Sequence, residues 1–324
     1  MTWARLAGCA AVTFYIAAPA ALGAEKWDMP LAYPATNFQS VNAQEFSQCV
    51  AAGTNGEINI VTHPGGSLFK GNDIKRAVQT GQVQIGERLL SAHENENPIF
   101  GTDSIPFLAN SYDASVKLWK AARPELEKLL DEQGLVLLYS VPWPPQGLYF
   151  QKDVNKVADM SGIKVRSYNT STARIAELTG MVPVQIEAAE ISQALAAGVI
   201  NSLITSAVTG QDSKAWEQLS HFYTVEAWMP RNHVIMNKGA WEALSDKTKD
   251  AIKDCAAKAE EAGLQKSKEA NEKALKVLAE NGMKVLAPSK ELAAELRKVG
   301  EKMTKEWVDK AGAPGKTVID NFRK

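Results

Sequence analysis

The sequence predicts an α/β protein built as two lobes, on three observations. Short β-branched runs alternate with helical patterns from residue 27 to about 236, the rhythm of strands joined by helical crossovers. That rhythm is interrupted at "PWPPQG" (142–147), where three prolines fall in four positions, a stiff extended passage suited to crossing between lobes. Beyond residue 241 the pattern becomes almost wholly helical, as expected of elements that brace a finished core.

Residues 1–24, "MTWARLAGCAAVTFYIAAPAALGA", carry one cation, Arg5, then an Ala-rich apolar run and a small-residue exit around Ala21, Gly23 and Ala24. This reads as a cleaved secretory signal peptide, too short for a membrane span. Within it "LAGC" (6–9) resembles a lipoprotein processing box, yet the apolar run follows Cys9 instead of preceding it, so Cys9 is expected to leave with the signal. No later stretch reaches spanning length without charges, so the mature chain is expected to be soluble, exported and without a membrane span of its own. With 36 basic against 37 acidic residues, nothing suggests the basic face that a nucleic-acid partner requires. Cys49 and Cys255 remain, and an exported compartment lets them pair or persist as two buried thiols.

From residue 56, "GEINIVTH" alternates as a strand, "NDIKRAVQTG" is a helix stopped by glycine, and "VQIGE" is a further strand, a βαβ unit that implies a mainly parallel sheet. "SYDASVKLWKAARPELEKLLDEQG" is helical, with Pro124 marking a kink or a fresh start, and "LVLLYSV" (135–141) is apolar enough to be buried on both faces. After the proline crossing, strands "GIKVRS", "MVPVQI" and "VINSLITS" alternate with helices "TSTARIAELTG" and "AAEISQALAAG". "NHVIMN" (232–237) is placed as a strand crossing back. In the helical tail Ser245 and Ser289 are positioned as N-caps, and "AGAPG" (311–315) ends the last long helix. The expected division is a signal at 1–24, lobe I at 25–142 with a return segment at 232–260, lobe II at 143–231, and bracing helices at 261–324.

Chemistry-bearing constellations are sparse. His63, His93, His221 and His233 are scattered without i, i+4 spacing, so no metal site or cofactor is expected. No G-x-S-x-G elbow is present. "GAPGKT" (312–317) lacks the first glycine of a phosphate loop and a following helix. "HPGGSLFKG" (63–71) is a strand-to-helix turn whose amides are able to face an anion. Aromatic residues Trp143, Tyr149 and Phe150 flank the first crossing and Trp228 the second, either as hinge packing or as cleft walls. Arg166 ends the strand "GIKVRS" at the mouth of lobe II, where ligand sites gather and a planar guanidinium grips a carboxylate through two parallel bonds.

The run "EFSQCVAAGTNGEINIVTHPGGSLFKGNDIKRAVQTGQVQIGE", then "IPFL", "ADMSGIKVRS", "EISQALAAGVINS" and "MNKGAWEAL", resembles the solute-binding proteins of TRAP transporters, the DctP family. The resemblance implies a two-lobed periplasmic binding protein fold with crossing strands and long C-terminal helices, closing on an organic acid that it delivers to a sodium-driven membrane permease. In the family motif G-[IVL]-K-[IVL]-R the arginine pairs with the ligand carboxylate; here that is Gly162 to Arg166. Two departures follow: Tyr149 stands where many sialic-acid-type members carry a second arginine, and Thr205 where many carry an asparagine.

These changes remove polar partners that a sugar acid needs and favour a small monocarboxylate with an apolar or aromatic remainder, such as an arylcarboxylate or a 2-oxo acid. The expected site has Arg166 as anchor, Thr205 and Tyr149 as hydrogen-bond donors, Trp143 and Trp228 as walls, and Phe38, from the first loop, with Glu87 as first-lobe contributors. The expectation is a transport receptor and not an enzyme. The rivals are an exported α/β enzyme acting on a carboxylic acid and a ligand-presenting subunit of a sensory receptor.

Overall fold

The computed structural model describes residues 25–324; the segment expected to be a signal peptide, with Cys9, lies outside them. The elements in chain order are β1 (Glu25–Pro30), α1 (Phe38–Gly53), β2 (Ile58–His63), α2 (Gly71–Gln79), β3 (Ile85–Leu89), α3 (Tyr112–Glu132) and β4 (Leu135–Pro142). There follow β5 (Gln146–Phe150), β6 (Lys164–Ser167), α4 (Thr170–Leu178), β7 (Val182–Gln185), α5 (Ile191–Ala196), β8 (Ser202–Ser206), α6 (Ala207–Asp212) and β9 (His221–Tyr223). The chain ends with β10 (Arg231–Asn237), α7 (Lys238–Glu242), α8 (Asp246–Glu280), β11 (Lys284–Leu286) and α9 (Lys290–Arg323).

Lobe I holds parallel β1–β2 and, with β1 lying beside β3, the ribbon β3-β10-β4; lobe II holds the six-stranded sheet β11-β9-β5-β8-β6-β7. The two-stranded sheet is parallel, the ribbon antiparallel and the six-stranded sheet mixed, where a mainly parallel arrangement was expected. β10 runs antiparallel to β3 and β4, and β5 antiparallel to β8 and β9. The reason lies in the two crossings. β5 and β10 each enter their sheet directly from the other lobe, with no helical crossover to turn the chain into parallel register.

Local signals set most element ends. Ser111, Asn169, Ser245 and Ser289 each accept a backbone N–H three residues ahead, satisfying amides that a helix start otherwise strands. Pro124 sits inside an unbroken α3. The expected stop at "AGAPG" is a break within α9, at Gly312 with φ 60°, a backbone that favours glycine; the chain then continues helically past Pro314.

α8 is a single helix of 35 residues, about 50 Å long, so the expected division at residue 260 falls in its middle. Its periodic run is capped at Ser245 and meets no proline, and Gly263 lets its backbone pass close to Val141, which a Cβ there would approach within 2.5 Å. α8 packs on α1 and β4 of lobe I and on α6 and β11 near lobe II. Cys49 of α1 and Cys255 of α8 form a disulfide, which resolves the open choice between a bridge and two thiols.

Candidate cleft between the lobes

Where the two sheets face each other, a cavity of about 280 Å3 is lined from lobe I by Tyr33 and Leu89, from the crossings by Trp143 and Pro230, and from lobe II by Arg166, Tyr168 and Thr205. A larger open groove of about 1550 Å3 lies between α3 and α8, but of its cations Arg123 is already paired with Glu127 and Glu260. Its buried Arg231 donates through all three nitrogens to Ser140 and Ser115, whereas the buried cation of the inter-lobe cavity has only one such bond, and that makes it the candidate site.

Arg166 is placed by β6, whose edges are covered by β7 and β8. It is 5% exposed, its Nε donates to the Ile186 carbonyl at 2.9 Å, and its guanidinium stacks over the Tyr168 ring at 4.8 Å. Burial pulls its pKa down to about 10, with Tyr168, Tyr33 and Glu187 acting in the opposite direction, so it stays charged at neutral pH. Among the described residues no carboxylate lies within ion-pair distance of it. A buried cation in this state is stabilised by an anion that enters from outside.

The rings around it are held by hydrogen bonds. Tyr168 donates to Gln146 Oε1 at 3.2 Å and accepts from Trp228 Nε1 at 3.2 Å. Trp143 packs edge-on against Tyr33 and Phe38, at 4.7 and 5.2 Å between centroids, and its Nε1 donates to Asn232 Oδ1 at 2.8 Å. Asn232 in turn donates to Glu87 Oε1 at 2.9 Å. The hydroxyl of Thr205 has no hydrogen bond among the described residues and remains available to a ligand.

Of the seven residues expected from the sequence, Arg166, Thr205 and Trp143 line the cavity. Trp228 stands behind Tyr168, Phe38 behind Trp143, and Glu87 behind Asn232. Phe38 is the first residue of α1, capped by Asn37, and not part of a loop. Tyr149 points elsewhere: its hydroxyl donates to the Ser206 carbonyl at 3.0 Å and its ring lies on Phe222 at 4.3 Å. Alternation along β5 sends it under α6, where Gly210 leaves room for the hydroxyl.

The residues that sequence reading missed are Tyr33 and Tyr168. Tyr168 was within reach of the argument, because it lies two residues after Arg166 and so shares its side of an extended chain. Tyr33 follows β1 in a proline-flanked loop, with no local pattern to mark it.

The lobes are closed. Asn37 Nδ2 donates to Asp212 Oδ2 at 2.7 Å, Asn169 Nδ2 to Ser91 and Ser104 hydroxyls at 3.1 and 3.2 Å, and Ser171 Oγ to Glu94 at 2.8 Å. The amide of Asn72, at the start of α2, donates to Glu187 Oε1 at 3.1 Å. The anion facing the "HPGGSLFKG" turn is therefore a side chain of the opposite lobe.

Burial raises the Glu87 carboxyl from its ordinary 4.5 to about 7, the Asn232 bond opposing it. Asp103 is likewise raised to about 7 by burial, against the Arg231 backbone amide. Between the ordinary carboxyl value and pH 7 the folded state holds more protons than the unfolded state, so each group lowers stability as pH rises through that window, by about 1.4 kcal/mol per pH unit at most. Glu87→Gln should remove its share of the slope. The variant gains on wild type between pH 5 and pH 8 in denaturant midpoints; a constant difference across that range would contradict the buried, protonated carboxyl.

Residues 31–311 match the family profile of bacterial extracellular solute-binding protein family 7, DctP. The chain is 50% identical to a solved TRAP solute-binding protein from a marine metagenome, an unidentified microbe, specific for pyroglutamate, over 93% of this chain and 99% of that one, with a TM-score of 0.92. It is 47% identical to DctP6, a Bordetella pertussis extracytoplasmic solute receptor binding pyroglutamic acid, over 92% and 99%, with a TM-score of 0.91. A monocarboxylate 2-oxoacid-binding periplasmic protein of Nostoc sp. is 23% identical over 240 residues, 72% of this chain and 66% of that protein. With profile, fold and cleft in agreement, the chain belongs to the DctP family of bacterial extracellular solute-binding proteins.

Proposed function

We propose that this protein is a periplasmic receptor that captures pyroglutamate, or a cyclic monocarboxylate of the same size, and hands it unchanged to the membrane subunits of a TRAP-type permease. The observation that carries this reading is Arg166: a buried guanidinium, braced by Ile186 and Tyr168 and, among the described residues, with no carboxylate within ion-pair distance, lining the inter-lobe cavity. The ligand carboxylate takes the guanidinium, the ring lies against the contacting pair Trp143 and Tyr33, and Thr205 meets the polar atoms of the ring. The identity of about half its residues with two pyroglutamate receptors supports the same ligand. A sugar acid fits poorly, because its hydroxyls would outnumber the polar groups left unpaired here.

The test is a thermal-shift screen of carboxylic acids. L-pyroglutamate at a hundred times its dissociation constant should add about 2.7 kcal/mol to stability. A transition that moved only with neutral compounds would reject the carboxylate assignment. Recovery of a chemically altered ligand from the complex would favour an enzyme.

A further inference from the structure

A second buried arginine lies near Arg166 without lining the cavity. Arg88 follows Glu87 on β3, its side chain is 6% exposed, its Nη2 donates to Asn72 Oδ1, and its buried Nε has no partner among the described residues. Burial lowers its pKa, while Tyr33, Glu187 and Asp73 act to raise it. It is thus a desolvated cation on the lobe I side, matching Arg166 on the lobe II side. Tyr33 stands in the field of both arginines.

The charge that acts on Arg88 from the opposite lobe is Glu187. This residue lies between Ile186, whose carbonyl holds Arg166, and Ala188, which lines the cavity. Its side chain reaches across to the start of α2, where Oε1 accepts the Asn72 amide. A Cβ placed on Gly71 would lie 2.5 Å from Glu187 Oε2 and 2.8 Å from Arg88 Nη1, so carboxylate and guanidinium converge on one glycine that leaves space for both. Glu187 belongs to lobe II and its partners to lobe I, so the arrangement exists only when the lobes are closed.

Building on the receptor reading above, we infer that Glu187 is a built-in carboxylate that reserves Arg88 on closure and thereby restricts the cavity to ligands with a single carboxylate. A dicarboxylate would bring a second anion toward half-buried Glu187, and like charges at close range beside a buried guanidinium repel. A monocarboxylate leaves the cleft with two cations, the Glu187 anion and the ligand anion.

The experiment compares L-pyroglutamate with glutarate, which has the same number of heavy atoms and one more carboxylate, by calorimetry on the full mature chain. In wild type pyroglutamate should bind and glutarate should not, or only weakly. Glu187→Ala removes the charge and opens a path to Arg88; the preference for pyroglutamate over glutarate should fall at least tenfold. Loss of the inter-lobe contact weakens both ligands and cancels in that ratio. The glutarate gain should vanish in the double variant Glu187→Ala/Arg88→Met. An unchanged ratio in Glu187→Ala, or a gain that persisted without Arg88, would overturn the inference. If wild type ignored pyroglutamate, the ligand assignment would fall separately. The same ratio, taken between whichever monocarboxylate binds and the dicarboxylate of equal size, would still decide the role of Glu187.

Discussion

Arg166→Ala should abolish measurable capture of a carboxylate while leaving the unliganded fold intact. Breaking a buried charge pair by removing one partner costs about 3–5 kcal/mol, roughly a hundredfold to several thousandfold in affinity. The unliganded protein responds differently. Without ligand, the desolvation of Arg166 is offset by one bond to Ile186 and by the Tyr168 ring, so its removal costs the empty fold little. The signature is a large loss in calorimetric affinity with an unligated melting temperature at or above that of wild type. Arg166→Lys keeps the charge but loses the planar fork and the Nε bond, and should recover only part of the affinity. Near-wild-type binding by a well-folded alanine variant would remove Arg166 from the anchor role.

Reducing the Cys49–Cys255 bridge, or replacing both cysteines with serine, should produce the largest change in stability. The bridged residues are 206 apart in sequence, and closing a loop of that length restricts the unfolded chain by up to about 5 kcal/mol in the chain-entropy account; measured losses for native bridges are about 2–5 kcal/mol. The bridge joins α1 to α8, the helix that packs against elements of both lobes, so a weakened α1–α8 seam would loosen the brace as well as lobe I. Denaturant midpoints with and without reductant measure this. A loss below about 1 kcal/mol would mean that the packing of α1 on α8 holds without the bridge.

The proposed anchor, Arg166, was singled out because three signals coincided there: a short strand, its C-terminal end and a planar cation. The helix caps were legible because Ser245 and Ser289 act within three residues of themselves, and such contacts do not wait for the rest of the chain. The proline crossing at 142–147 was legible for the same local reason. β4 ends at Pro142 and β5 begins at Gln146, in different sheets.

Tyr149 shows where that reach ended. Its position in the chain suggested a ligand donor, but the side chain direction depends on the pleat of β5 and on the space left by Gly210, 61 residues further along. The strand directions of β5 and β10 likewise depend on entry from the opposite lobe. The second arginine and its internal partner were invisible for a stronger reason. Arg88 and Glu187 are 99 residues apart and converge on Gly71 only across a closed cleft.

Periodicity, capping and punctuation in the chain were therefore sufficient for the α/β class, the two lobes, the crossing points and the choice of Arg166 as proposed anchor, since each is set by neighbours within a turn or a strand. Which rings line the cavity, which acid stands behind Trp143 and which carboxylate converges with Arg88 on Gly71 followed only from folding. Those are contacts between distant segments, and a side chain's environment in a desolvated cleft is made by whatever the other lobe brings against it.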